Sequence, residues 1–384
     1  MESKLRAIVY YPLPLSYATG GLRVLTSHHA ALRAAGVEQD IVCPSNKEPP
    51  LGYATALFDR VWEVSLEVAH PVFRPAGAAL MQSDTNSNIP KWASYQTWAT
   101  FIDLAWRGQY DVAIIHWHHN WRLATYLPPQ MPKAIVVHDI ISHAHKTMID
   151  AGIKPEFPLG YAEEIGWLGH YDLVITMGEE DRAKLAEDID IPVVAAPPTF
   201  EILECSLGGA SPRQHFLTIS SRTRAHTAGV LWCAKEVWPR IKAALPGAAW
   251  RIVGNVCQDV RPGPGIELCG ALADYYLDDC YWWSDIVLNP CIAGKGVKIK
   301  TLEALARGKP VVGGPLAWSN IAGGDLIADS RLDKIVAKAI CYAINAEAYD
   351  DAARRGYDVI RQDHSQDNLR AFAAAVAALR REAT

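Results

Sequence analysis

The sequence predicts an α/β protein with two Rossmann-like, doubly wound parallel-sheet domains, and three observations predict it. At 384 residues the chain is long for one α/β domain and comfortable for two. Val/Ile-rich runs alternate with segments of helical apolar spacing in two separate series. Between the series, over residues 199–214, the alternation lapses into a Gly/Pro-containing linker with Gly208, Gly209 and Pro212.

The first series opens with LRAIVYY (Leu5–Tyr11), a β-rich run, followed by a loop with Pro12, Pro14, Gly20 and Gly21. Leu22, Leu25, His29 and Leu32 then recur at helical spacing until Gly36, and VEQDIVC (Val37–Cys43) is the next strand. This strand, glycine loop, helix and strand form a βαβ unit, which requires a parallel pairing. DVAIIHW (Asp111–Trp117), KAIVVHD (Lys133–Asp139), DLVITM (Asp172–Met177) and IPVVAA (Ile191–Ala196) extend the sheet. Their lack of polar alternation suits strands covered on both faces. Residues 44–108 read as irregular and aromatic, with Trp62, Trp92, Trp98, Trp106 and a polar loop at Ser83–Asn88.

The second series runs through HFLTIS (His215–Ser220), a helix from about Gly229 to Leu245, AAWRIVG (Ala248–Gly254) and IELCG (Ile266–Gly270). It continues with a helix near 273–283, DIVLNP (Asp285–Pro290), a helix near 297–307, PVVGG (Pro310–Gly314) and two closing helical segments. The expected division is a first domain over 1–198, a linker over 199–214, a second domain over 215–362, and a C-terminal helix over 363–384 packing back on the first domain. Two such sheets are expected to face a cleft at the C-terminal edges of their strands, where α/β proteins take nucleotides.

Composition narrows the function. Half of the residues are apolar, 21% are charged and the net charge is −5 without a basic run, which gives nucleic acid binding no electrostatic support. No run of 18 apolar residues occurs, and the N-terminus lacks the apolar stretch and cleavage site of a signal peptide. The eight cysteines form no CxxC pair and most sit among apolar neighbours, as buried thiols do in a reducing compartment. The expectation is a cytoplasmic protein, with peripheral association at the inner face of a membrane left open, and oligomeric state undetermined.

The chemistry concentrates in NPCIAGKGVKIKTLEALARGKPVV (Asn289–Val312). A strand ends at Pro290, a loop with Gly294 and Gly296 follows, and a helix runs on to Gly308. Glycines admit a ligand close to the backbone, and a helix N-terminus offers unpaired N–H groups with partial positive charge; both suit a diphosphate. Glu303, about two turns into this helix, would accept hydrogen bonds from the two hydroxyls of a ribose. Taken without context, Glu303 with Lys298 and Lys300 reads as a solvated helix face.

This segment resembles the donor-binding signature of retaining, GT-B-fold glycosyltransferases of family 4, whose pattern G-x-G-x-K-x-K-x-x-E-A-x-A-x-G-K-P-V-V falls on Gly294–Val312. The resemblance extends through Glu236–Asn255, IELCGALAD (Ile266–Asp274) and YWWSDIVLNP (Tyr281–Pro290), so it covers the C-terminal half almost throughout. GGLRVLTSHHAALRAAGVEQDIVC (Gly20–Cys43), KAIVVHD and YDLVITMGEED (Tyr171–Asp181) match the N-terminal half more loosely.

The resemblance implies a GT-B fold with the first domain on the acceptor side and the second binding the donor. Gly20 and Gly21 would bring a backbone N–H to the donor phosphates. Glu303 would bind the donor ribose, while Gly294, Gly296 and Val297 would hold the diphosphate or the sugar. His138, at the C-terminal edge of its strand, would contact the donor sugar. Arg222 and Arg224 in SSRTRAHTAG offer the cations that neutralise the leaving diphosphate. The family's lysine is Ala228 here, with Lys298 or Lys300 as substitutes. His138, Arg222 and Lys300 are the candidate catalytic residues. The glutamate the family often has eight positions before its ribose-binding one is Lys295.

Two further constellations carry less. His116, His118, His119, His143 and His145 suggest a metal, but the HExxH pattern is absent. Asp188-Ile189-Asp190 spells DxD on an expected exposed turn. No metal or other cofactor is expected, only a nucleotide-sugar co-substrate. The tryptophans are expected mostly in the core, some able to stack on sugars.

The implied reaction is transfer of a sugar, with retention, from a nucleotide-diphosphate donor to a glycan, lipid-linked or small-molecule acceptor, as in polysaccharide or glycan biosynthesis. Alternatives are a catalytically inactive glycosyltransferase-like partner subunit, favoured by Ala228 and Lys295, and a nucleotide-sugar epimerase of the same fold, for which acid/base carboxylates are not evident. A nicotinamide oxidoreductase lacks its GxGxxG loop and an acidic end to the second strand.

Overall fold

The computed structural model describes residues 4–16, 19–46, 48–65, 95–203, 213–273, 276–321 and 331–379. Trp92, the loop Ser83–Asn88, Cys205, Gly208, Gly209, Pro212 and Asp274 lie outside the described residues. Two compact units divide the chain, taken over their described residues. The first comprises Met1–His138, Gly160–Pro198 and Gln366–Thr384, the second Asp139–Leu159 and Thr199–Ser365.

The first unit is built on a seven-stranded sheet of order β3-β2-β1-β4-β5-β6-β7. Its strands are β1 (Arg6–Tyr10), β2 (Glu38–Pro44), β3 (Arg60–Val64), β4 (Val112–His116), β5 (Lys133–Val137), β6 (Leu173–Thr176) and β7 (Val193–Ala195). Every pairing is parallel. β4 and β5 are buried at every position, which explains their continuous apolar reading. β3 lies in the stretch read as irregular: it is a half-exposed edge strand, so its residues carry no buried-strand signature. The helix Gly20–Ala34 follows β1, and Thr19 caps it by accepting from the Leu22 N–H at 3.1 Å. The C-terminal helix Arg370–Ala378 packs within this unit against β7 and the helix Gly20–Ala34, with Phe372 against the His28 ring.

The second unit carries a five-stranded parallel sheet of order β10-β9-β8-β11-β12. The strands are β8 (His215–Ile219), β9 (Ala249–Val253), β10 (Ile266–Gly270), β11 (Ile286–Leu288) and β12 (Val311–Val312). Side chains alternate across it: Phe216 joins one buried cluster with Trp238, Trp250 and Ile252, and Leu217 joins the other with Tyr281, Val287 and Leu302. Both faces are therefore covered. Trp98 in the first unit and Trp238 and Trp250 in the second are almost fully buried, while Trp106 and Trp282 stay about half exposed.

Several boundaries move. The helix expected from Gly229 begins at Arg224, where Thr223 caps it, and a π-turn over Cys233–Val237 links it to the helix Trp238–Ala244. Gly229 is not a helix start but a packing necessity: a Cβ there would lie 2.0 Å from the Pro290 carbonyl oxygen. The helix expected near 273–283 runs over Leu277–Trp283. Three helices close the chain where two were expected: Leu332–Ile344, Ala346–Asp363 and Arg370–Ala378. Asn345 separates the first two and caps the second by accepting from the Ala348 N–H. The seven described cysteines are free thiols, and burial pushes Cys43 up to about 12. Among the described residues no helix is long and apolar enough to cross a membrane.

Candidate functional site

In the second unit, the loop after β11 and the start of the next helix hold most of the expected site. Gly294 and Gly296 have φ of +92° and +85°, left-handed values that a side chain would oppose. The helix itself is Ile299–Ala306, and no side chain caps its N-terminus. The Thr301 amide donates to the Lys298 carbonyl at 2.9 Å, while the Ile299 and Lys300 amides before it have no helical acceptor and present a positive end. Lys298 folds back, its ammonium donating to the Gly294 and Lys295 carbonyls at 3.2 and 3.0 Å, and so clamps the loop around Val297. Thr301 anchors it below, accepting from Asn289 Nδ2 at 2.8 Å and donating to the Ala317 carbonyl at 2.7 Å.

Glu303 corrects two expectations. It is the fifth residue of this helix, so it sits just over one turn from the N-terminus and not two. It is also buried, at 8% exposure, and not part of a solvated face. Its Oε2 accepts from the Tyr281 hydroxyl at 2.9 Å and from the Lys300 ammonium at 2.8 Å. Arg307 lies over the Tyr281 ring, donates to the Glu303 carbonyl oxygen at 2.9 Å and pairs with Asp278. Burial, and then the Glu303 charge, raise the Tyr281 hydroxyl well above its ordinary value, so it stays a proton donor to the carboxylate. Nothing in the sequence marked Tyr281 for this role. Lys300, one of the two lysines named as substitute cations, holds Glu303.

The two arginines also have partners. Arg222 makes a bidentate pair with Asp259 at 2.7 and 2.8 Å and a further bond to Gln258 at 3.1 Å. Arg224 donates to the Lys154 and Pro155 carbonyls. Close contact of Gly229 with Pro290 brings the segment after β8 beside the glycine loop. His226, in that segment, is held at about 4 by burial and then by the Lys298 charge. The Gly294 N–H donates to Thr147 Oγ1 at 2.8 Å, so a threonine hydroxyl meets one of the amides expected to face the ligand. Thr147 and Asp259 were missed because each reaches the site only through tertiary contact.

The first unit gathers Gly20, Gly21 and His138 separately. The glycines open the first helix, with Gly20 as its first residue. A Cβ on Gly21 would come within 2.5 Å of Trp117 Cη2, so the glycine makes room for an indole. Trp117 follows β4 with φ of +62°, a strained conformation for a bulky residue. Asn120 Nδ2 holds that bend by donating to the His116 and Trp117 carbonyls, each at 3.1 Å. The indole stacks on the His138 ring, centroids 3.9 Å apart and planes 7° apart. Trp117 thus links Gly21 to His138, a role with no sequence signal beyond a tryptophan at a strand end.

The histidines suspected as metal ligands hydrogen-bond instead. His118 Nε2 meets Glu164 Oε1 at 2.5 Å, and His116 joins His29 and His138. His145 packs edge-on against Phe157. Among the described residues no group of three or more His, Cys, Asp or Glu is arranged to hold a metal ion. Asp188 of the DxD triplet accepts from Tyr161 and pairs with Lys184.

By sequence, no curated protein matches the chain. Among solved structures it is similar to a TarM variant of S. aureus in complex with fondaparinux, alpha-GlcNAc-glycerol and UDP, with TM-score 0.67, 11% identity, and coverage of 99% of this chain and 100% of that one. It is also similar to sucrose-phosphate synthase from Thermosynechococcus elongatus, with TM-score 0.68, 14% identity and 98% of both chains covered. A third similarity is to Anabaena HepE in complex with UDP and glucose, with TM-score 0.64, 12% identity, and 97% and 99% covered. At these identities the likeness is one of fold. The family model described as glycosyl transferases group 1 matches residues 213–346. The stretch that matches holds Arg222, the glycine loop and Glu303, and the chain as a whole has the two-domain GT-B fold.

Proposed function

We propose that this protein is a glycosyltransferase that moves a sugar from a nucleotide-diphosphate sugar to a glycan, lipid-linked or small-molecule acceptor, with retention of anomeric configuration. The observation that carries the reading is Glu303: a buried carboxylate, held by Tyr281 and Lys300 just over one turn below a glycine loop and an uncapped helix N-terminus. A carboxylate so placed suits the vicinal hydroxyls of a ribose, and the amides above it suit the diphosphate joined to that ribose. UDP in the TarM and HepE complexes supports a nucleoside diphosphate as the carrier.

Cleavage of the bond between the sugar and the phosphate builds negative charge on the diphosphate and positive character on the sugar. The loop and first-turn amides meet the first, preorganised as electrostatic catalysis requires. Arg222 joins them on release from Asp259. No side-chain nucleophile is invoked: the acceptor hydroxyl attacks on the face the diphosphate leaves, and a phosphate oxygen takes its proton. No divalent cation enters this scheme, and turnover is expected to be unchanged by EDTA.

A second reading, a non-catalytic partner subunit, is favoured by one observation: Arg222 is neutralised by Asp259, and Ala228 stands where the family has a lysine. A thermal-shift screen against UDP-, GDP- and ADP-sugars separates the two, since a ligand raises apparent stability by mass action. The proposal expects one class to raise Tm and Glu303→Ala to abolish that shift. Retention of the full shift by Glu303→Ala sinks the ribose assignment, and binding without turnover supports the partner subunit.

A further inference from the structure

We propose that Gln39, His29 and His116 form a hydrogen-bond relay that fixes the tautomer of His138, so that His138 offers a lone pair at Nδ1 to a hydroxyl of the donor sugar. The role of His138 at a sugar rests on the function proposed above; the relay itself rests on geometry alone.

The chain of bonds has one direction. Gln39 is fully buried on β2, and its Nε2 donates to the backbone carbonyl of His29 at 3.0 Å. That carbonyl only accepts, so the amide orientation is settled and Gln39 Oε1 faces His29 Nδ1. An amide oxygen accepts; hence Nδ1 of His29 carries the proton and Nε2 carries the lone pair. His116 Nε2, 3.2 Å away, must then donate to it. This leaves the lone pair of His116 on Nδ1, which lies 3.3 Å from His138 Nε2. His138 therefore donates from Nε2 and keeps Nδ1 unprotonated. Among the described residues nothing partners that Nδ1, and His138 is only half-buried.

Each member is held in the neutral form the relay requires. Burial is the largest cause throughout, placing His29 at about 3 and His116 and His138 well below the ordinary histidine value, and neighbouring imidazoles add to it. Trp117 stacks on the His138 ring and fixes its plane. A neutral imidazole locked as an acceptor cannot bind a phosphate oxygen, which has no proton to give at neutral pH. It selects a hydroxyl. Gln39, His29 and His116 touch no ligand in this scheme; they are positioning residues acting through His138.

The test is a two-bond 1H–15N correlation spectrum of the 15N-histidine-labelled full chain, with His138 assigned by loss of its signals in His138→Ala. The expected wild-type pattern is a single Nε2–H tautomer at His138. Gln39→Leu, which removes the terminal acceptor, is expected to add the Nδ1–H form. With UDP and UDP-glucose as probes, Gln39→Leu should weaken UDP-glucose by about three- to tenfold, the size of one hydrogen bond, and leave UDP unchanged. A wild-type His138 found as Nδ1–H or as a mixture overturns the relay without need of any variant. So does a tautomer unaltered in Gln39→Leu, or equal loss of both ligands. If no nucleotide sugar binds the wild-type protein, the proposed function fails, while the tautomer in the free protein still decides the relay.

Discussion

The hydroxyl of Tyr281 donates to Glu303 at 2.9 Å, joining the helix before β11 to the helix after it, and this bond sets where the carboxylate of the glycine-loop helix lies. The tyrosine is itself buried, at 1% exposure, so the pair is part of the core as well as of the site.

Tyr281→Phe tests that bond. It keeps the ring under Arg307 and leaves Glu303 with one donor fewer. The loss should be about 1.5–3 kcal/mol of stability, the range for a hydrogen bond to a charged group, read by urea denaturation. Affinity for the nucleoside diphosphate should also fall, by about tenfold in calorimetry. Unchanged affinity with lowered stability would confine Tyr281 to the core.

Gly21→Ala tests the seat of Trp117. The added methyl would lie 2.5 Å from the indole, which cannot yield while it is stacked on His138. Overpacking of this kind costs about 1–3 kcal/mol, seen as a lowered Tm. Gly36→Ala is a useful contrast: nothing lies within 4 Å of its Cβ, and its φ of +82° confines the cost to backbone strain.

Asp259→Asn releases Arg222 from its bidentate partner. If the guanidinium serves a diphosphate, UDP should bind about two- to fivefold tighter, a modest gain because the displaced pair is solvent-exposed. Equal or weaker binding would place Arg222 outside the phosphate site and favour the partner-subunit reading.

Acid sensitivity follows from His28, which is fully buried, donates from Nε2 to the Ala196 carbonyl at 2.7 Å, and is lowered to about 4 by burial. The unfolded chain takes up a proton near pH 6.5 and the native one only near pH 4. Stability is therefore full above about pH 6.5 and is lost as the pH falls from there toward 4. This one residue accounts for about 2 kcal/mol between pH 7.5 and 5. His28→Asn should flatten the urea-midpoint profile over that window; an unchanged slope would assign the acid sensitivity to other groups.

Within the site, the sequence exposed backbone features better than side-chain roles. Gly294 and Gly296 before an apolar-periodic helix announce a loop of left-handed residues, and that is what forms. Arg222, Lys298 and Lys300 were legible as cations near that loop, but not their partners Asp259, the Gly294 carbonyl and Glu303. Charge is written in the sequence; the ion a charge pairs with depends on which strand ends come together. The same limit applies to the histidines. Their clustering in HWHHNW suggested a metal, whereas His116 finds His29 from the first helix and His138 from the next strand.

The sequence by itself determined the two parallel sheets, the lapse between them and the glycine-loop helix, because these follow from local patterns: strands buried on both faces, helical periodicity and the special backbone of glycine. Only the tertiary structure decided that Glu303 is buried and doubly held, that Gly21 serves Trp117, and that Gln39, His29 and His116 line up in a hydrogen-bonded row ending at His138. Those depend on distances between residues tens of positions apart, and such distances are set by packing that no short stretch of sequence contains.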